Sequence, residues 1–174
     1  HYMPTGLKST SSVVAIGFNV TEPGANTFTE DQVDLNLSPL DREVFVVLSV
    51  DMNPLAPDAV VGLSTATKAS LTTTSQTSVQ TLANANCLGV AGLDIRSNAA
   101  FVASPGAAFT RQANEAPSTR LDYIGIIATN DFFIQVQGTG NVNAKSCSGK
   151  LYGYRARASA DVFAALVQSE VLSA

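Results

Sequence analysis

Hydrophobic residues recur at every second position over much of this chain, and the alternation is clearest in its last third. Phe132, Ile134 and Val136 share one side while Phe133, Gln135 and Gln137 share the other, the period of a half-buried strand. Just upstream, Leu121, Tyr123 and Ile127 alternate with Ile124, Ile126 and Ala128, which predicts a strand buried on both faces. Further on, Tyr152, Tyr154, Ala156 and Ala158 oppose Arg155 and Arg157. The period then changes. Ser159 is placed to cap a helix over 160–172, with Asp161 in its first turn, and Val162, Phe163, Leu166, Val167 and Val171 form one apolar stripe. A free helix of about thirteen residues is marginal in water, so the stripe must dock on the sheet or on a neighbouring subunit.

The earlier part of the chain also reads as strands. An apolar run at 13–20 ends in a turn signal at 22–26, and the phase over 28–35 is ambiguous. The strongest run covers 42–53: Val44, Val46, Leu48, Val50 and Met52 fall on one face, and Glu43, Phe45, Val47, Ser49 and Asp51 on the other. Each large apolar residue there contributes ~1.5–3 kcal/mol if fully buried. Two prolines at 54 and 57 make 53–62 a loop with room for one helical turn. The Ser/Thr-rich stretch 64–86 is read as strand rather than linker, because Ala69, Leu71 and Thr73 alternate with Lys68, Ser70 and Thr72. Short strands interrupted by glycine follow at 87–95 and 99–103. Residues 104–118 read as a long surface loop of the kind that often binds, and Phe109 within it is a candidate interface residue. The expected architecture is mainly β: an antiparallel β-sandwich or barrel, jelly-roll-like, closed at an end or edge by a C-terminal α-helix. A single domain over 13–174 follows an arm, or a remnant of processing, over 1–12.

At 174 residues such a domain buries roughly 70% of its unfolded surface. Charged residues make up only 14% and hydrophobic residues 45%, against about 25% charge in an ordinary soluble domain. A surface of Ser, Thr, Asn and Ala is easily desolvated, which suits a protein packed against copies or partners, or an extracellular adhesive domain. Net charge is −4 and the ten basic residues are dispersed, so the chain offers no multi-phosphate contact and no nucleic acid partner is expected. No apolar run approaches the ~20 residues that span a bilayer, and no membrane partner is expected either.

Candidate chemistry is sparse. The only histidine is His1, which removes Ser-His-Asp and Cys-His catalysis and the commonest zinc ligand. Paired carboxylates remain the best enzymatic possibility, with Asp51, Asp122 and Asp131 in or beside strands, though edge charge and turn chemistry account for Asp122 and Asp131 more simply. Glu30, Asp31 and Asp34 lack the spacing of a calcium loop. Gly138, Gly140 and Asn141 read as a hairpin turn rather than a phosphate loop. Cys87 and Cys147 are compatible with buried thiols or with one disulfide. No cofactor, metal or catalytic residue is expected. Arg155 and Arg157, with Arg120 nearby, either meet acidic groups across a subunit contact or form a solvated edge. Phe163, Leu166 and Val167 complete the candidate interface set.

The segments at 74–79, 121–141 and 151–173 resemble small virion structural proteins of marine tailed bacteriophages, of the kind encoded beside head genes. The likeness runs from about residue 42 onward and is strongest after 119. It implies a non-enzymatic, oligomeric protein that decorates or cements the outside of a head, with the major capsid protein and copies of itself as partners and the virion surface as its location. The rival reading from the residues alone is a secreted or surface adhesive β-domain that binds glycans.

Overall fold

A computed structural model describes residues 4–97, 107–111 and 121–173. Ten strands and one helix follow in order: β1 (Leu7–Ser9), β2 (Val14–Thr21), β3 (Thr29–Asp34), β4 (Glu43–Pro54), β5 (Thr65–Thr72), β6 (Cys87–Arg96), β7 (Ala107–Arg111), β8 (Gly125–Ile127), β9 (Asp131–Thr139), β10 (Ser146–Ala158) and α1 (Ala160–Leu172). One sheet has the order β1-β10-β4-β8, with β2 pairing the same β10, and the other has the order β3-β9-β5-β6-β7. All pairings are antiparallel and they nest: β5 with β6, β4 with β8, β3 with β9, β2 with β10. A long hairpin folded in this way over itself, with its strands shared between two sheets, is a jelly roll. The jelly-roll-like sandwich with a C-terminal helix read from the sequence is therefore the fold observed.

Between the sheets lies one core. Phe18, Phe45, Val47, Val50, Met52 and Leu151 of the first sheet meet Leu71, Phe132, Ile134 and Val136 of the second, and Leu35 and Leu37 close one side. Phe18 and Phe132 pack edge to face at 6.0 Å, the geometry that ring quadrupoles favour. Gly149 and Gly153 let β10 run this close: a Cβ on Gly149 would strike the Asp51 carbonyl and the Phe18 ring, and one on Gly153 the Val46 carbonyl and the Phe45 ring.

Strand β4 departs from its sequence pattern. Tyr152 pairs with Ser49 but Gly153 pairs with Val47, which leaves Leu48 as an extra residue, a β-bulge. The bulge reverses the parity. Val44 and Val46 face outward toward the helix, whereas Phe45, Val47, Val50 and Met52 all face the core. The single five-residue face expected from Val44 to Met52 is thus split between two clusters, and the apparently mixed Phe45 and Val47 are core residues.

Other expectations change as well. The strand expected to be buried on both sides over 121–128 shrinks to β8, with Leu121 at 53% and Tyr123 at 37% exposure. Glycine does not interrupt β6, which runs unbroken through Gly89 and Gly92. The stretch 64–86 is strand only over β5; residues 73–86 are turns that lie on the outer face of the second sheet. Gln135, expected to face water, is fully buried on that face: it accepts from Ser70 Oγ (2.6 Å) and donates to Glu30 and Thr72 (2.8 Å each), and the turns bond Glu30 and Ser70 in their turn. The Gly138–Asn141 turn leads from one sheet to the other and closes no hairpin. Within the expected loop 104–118, β7 is a strand on the edge of the second sheet. The strand expected at 99–103 lies outside the described residues.

Candidate functional site

The helix lies against the outer face of the first sheet, in its own subunit. Ser159 caps it, its side chain accepting from Val162 N–H at 3.4 Å. Val162, Phe163, Leu166 and Val167 pack on Val44, Val46, Tyr154, Ala156 and Ala158. They are half-buried, and a cleft lined by Leu37, Pro39, Ala128, Phe163 and Val167 runs beside them. Val171, expected in the stripe, is 56% exposed; the last turn is anchored instead by Glu170, at 7% exposure. The Glu170 carboxylate accepts from Ala128 N–H at 3.0 Å and from the Thr129 hydroxyl, and its carbonyl accepts from Asn86 Nδ2 at 3.0 Å. Burial pushes the Glu170 carboxyl above its ordinary value. Hydrophobic periodicity conceals such a residue, because a glutamate near a helix C-terminus reads as solvated.

Arg155 and Arg157 have acidic neighbours within the chain. Arg155 lies 3.6 Å from Glu43, the first residue of β4, and Arg157 3.8 Å from Asp41 in the turn that leads into it. The Arg157–Asp41 pair is more than half exposed on both sides, so its contribution is under about 1 kcal/mol. Arg120 lies outside the described residues. Phe163, Leu166 and Val167 belong to the helix contact, on a different face of β10 from the two arginines.

Phe109 occupies a separate surface. At 57% exposure on the edge strand β7, it borders a groove of about 370 Å³ on the outer face of the second sheet. Lys68, Val90, Asp94 and Arg111 form the floor with it, and Leu82 from the 73–86 turns forms a wall. An aromatic face beside charged and amide groups in a groove of this size can hold a small polar ligand.

One end of the roll contains a polar cluster that sequence reasoning missed. Glu22, at 3% exposure, accepts from Gly138 N–H (3.0 Å) and Lys145 N–H (2.8 Å). Lys145, at 4% exposure, donates from Nζ to Asp58 at 2.7 Å. Asp58 also accepts from Val142 and Asn143 N–H, and these donors hold its pKa down at about 2. Asn141 joins three connections: it exchanges bonds with Asn26, donates to Ala66 O and accepts from Asp58 N–H. The residues are far apart in sequence, and no spacing rule connects them. Above this network, the β4–β5 and β9–β10 connections expose Leu55, Val61, Leu63 and Val142 at 45–72%.

Asp51 and Asp131 have separate settings: Asp51 is exposed on β4, and Asp131 accepts from Gln32 across the β3–β9 ladder, while Asp122 lies exposed before β8. Glu30 is used by Ser75, Gln76 and Gln135, and Asp34 by Asn36 and Asn130. Among the described residues no group of three or more His, Cys, Asp or Glu is placed to hold a metal ion, and no helix is long and apolar enough to cross a membrane. Cys87 and Cys147 are buried free thiols, and burial pushes Cys147 up to about 12.

No protein-family model matches the chain, and no curated protein matches it significantly. Among solved structures, one of Desmodium yellow mottle tymovirus is similar at 14% identity and a TM-score of 0.32, over 91% of this chain and 94% of that one. The jelly-roll assignment rests on the strand pairings alone.

Proposed function

We propose that this chain is a non-enzymatic virion structural protein: an external capsid decoration or cement protein that assembles as a homo-oligomer on a major capsid lattice. The observation that carries this reading is the end of the roll where Leu55, Val61, Leu63 and Val142 stand exposed on loops fixed by the Glu22–Lys145–Asp58–Asn141 network. Exposed apolar side chains on a pre-organised frame bind without a large ordering cost. The charge-poor, hydroxyl-rich surface supports the same reading, as does the resemblance of 74–79, 121–141 and 151–173 to small virion structural proteins of marine tailed phages. Jelly rolls serve in viral shells and also in lectins, so topology by itself does not choose between them. Reconstruction of the native particle tests the proposal: density for the chain on the outer surface of the head is expected, and density in the tail or on the inner wall overturns it.

A second reading, a secreted or surface domain that binds glycans, is favoured by the Phe109 groove. A reproducible hit on a glycan array that is lost in Phe109→Ala would support it over the first.

A further inference from the structure

Among the described residues the two sheets present four edges, and three of them discourage pairing with another chain. Strand β3 carries Glu30, Asp31 and Asp34 in six residues. Strand β7 has five residues and ends in Arg111, and β8 has three. The fourth edge, along β10, is shared by the three-residue β1 and by β2. Strand β2 is eight residues long, reads VAIGFNVT, and pairs among the described residues only with β10. No charged residue and no proline lies between Lys8 and Glu22. A long, uncharged, regular edge strand is a template for another strand.

We propose that β2 pairs antiparallel with β2 of a second copy of this chain, about a two-fold axis through Gly17. The register follows from parity. Val14, Ile16, Phe18 and Val20 share the core-facing side, while Ala15, Gly17 and Asn19 face outward. With Gly17 on the axis, Val14 opposes Val20 and Ile16 opposes Phe18. The exposed Val14 (37%) and half-buried Ile16 each meet a residue that is already buried, Val20 at 3% and Phe18 at 8%. The core then continues across the axis. Placing Phe18 on the axis would set Val14 against Glu22, whose carboxylate is engaged by Gly138 and Lys145. A register between residues would turn apolar side chains against outward-facing ones. On the outer face only Ala15, Gly17 and Asn19 approach, so nothing bulky obstructs the axis. Self-complementarity of this kind is what a two-fold interface requires, and it favours a second copy over a foreign strand.

The contact specifies how copies meet in the proposed assembly, yet it rests on edge chemistry and is measurable without a particle. Opposed Cα atoms in an antiparallel pair lie about 4.5–5.5 Å apart, within the roughly 4.4–6.8 Å that a disulfide spans. A Cβ on Gly17 meets nothing closer than Gly149 O at 4.0 Å, so the position accepts a side chain in the isolated subunit. The native thiols are buried and do not compete. Sedimentation of the purified chain at submillimolar concentration is expected to show a dimer, and oxidised Gly17→Cys a covalent dimer. Asn19→Cys, which would face Ala15, should not cross-link to itself. Gly17→Lys, with its circular dichroism unchanged, should weaken dimerisation by roughly fivefold by opposing two ammonium groups. A monomeric wild type, equal cross-linking by Asn19→Cys, or an intact Gly17→Lys dimer overturns the contact. A dimer of a chain absent from any virion leaves this inference standing and overturns the proposed function.

Discussion

Replacing Glu170 tests whether the C-terminal helix is held by a buried carboxylate rather than by its apolar stripe alone. The side chain is 7% exposed, accepts from Ala128 N–H and the Thr129 hydroxyl, and among the described residues has no cation beside it. Glu170→Ala removes both acceptors and leaves the Ala128 donor buried without a partner, a loss of about 1–3 kcal/mol. Glu170→Gln keeps an acceptor of the same shape and removes the charge, so it should stay within about 1 kcal/mol of the wild type near neutral pH. The pH dependence gives a sharper result. The unfolded carboxyl titrates near its ordinary 4.5 and the folded one above it, raised first by burial and further by Asp131. Between those values the native state holds more protons than the unfolded one. This contribution is therefore full below the ordinary value and falls away as pH rises through the folded value. Urea unfolding of both proteins at intervals between about pH 4 and 7 isolates it, because the other carboxylates cancel in the difference. A wild-type-minus-Gln difference that is flat with pH, or a Gln variant as unstable as the Ala variant, would refute the reasoning.

Phe163→Ala should cost about 2 kcal/mol in the same assay, below the ~3–5 of a fully buried phenylalanine, because the ring borders an open cleft; a loss under about 0.5 kcal/mol would mean the ring contributes no packing. Deleting Leu48 makes Val47 and Ser49 consecutive opposite Gly153 and Tyr152, which removes the bulge and keeps Val50 and Met52 in the core, so the loss is that of the half-buried Leu48 side chain, under about 3 kcal/mol; a variant that no longer folds would contradict this. Asp58, depressed to about 2, supports stability above its ordinary 3.8 and loses it as pH falls from there toward 2. Asp58→Asn should flatten that acid limb and lower the thermal midpoint more than Arg157→Ala does, since it strands the buried Lys145 ammonium.

Much of the fold was legible because period-two alternation survives where one face is buried: Phe132, Ile134 and Val136 point inward as their spacing says, and Ser159 caps the helix it precedes. Errors arose where a tertiary cover or a single inserted residue changed the exposure. Leu48 reverses the parity of β4 without any mark in composition. Gln135 is polar yet fully buried, because residues far along the chain fold over it and satisfy its amide. The candidate surfaces were less legible. The helix stripe was legible as a docking face, but the sequence left open whether it covers the sheet of its own chain or a neighbour, and it holds no record that Phe109 borders a groove. The Glu22–Lys145–Asp58–Asn141 cluster joins three loops, and only the closed roll brings it together.

The nested pairings also set an order of events. Strands β5 and β6 are close neighbours in sequence, whereas β2 and β10 join opposite ends of the chain. Loop-closure entropy favours the inner pair first, and each outer pair is shortened by the one inside it. Zippering from β5–β6 outward would make β2–β10 the last ladder to form, and slow folding follows from contacts of such long range. Strand β10 leaves the ribosome after every strand it closes over, so the roll stays open until it emerges. The uncharged β2 must wait for a partner during all of that time, which makes dilution and low temperature the favourable conditions for refolding.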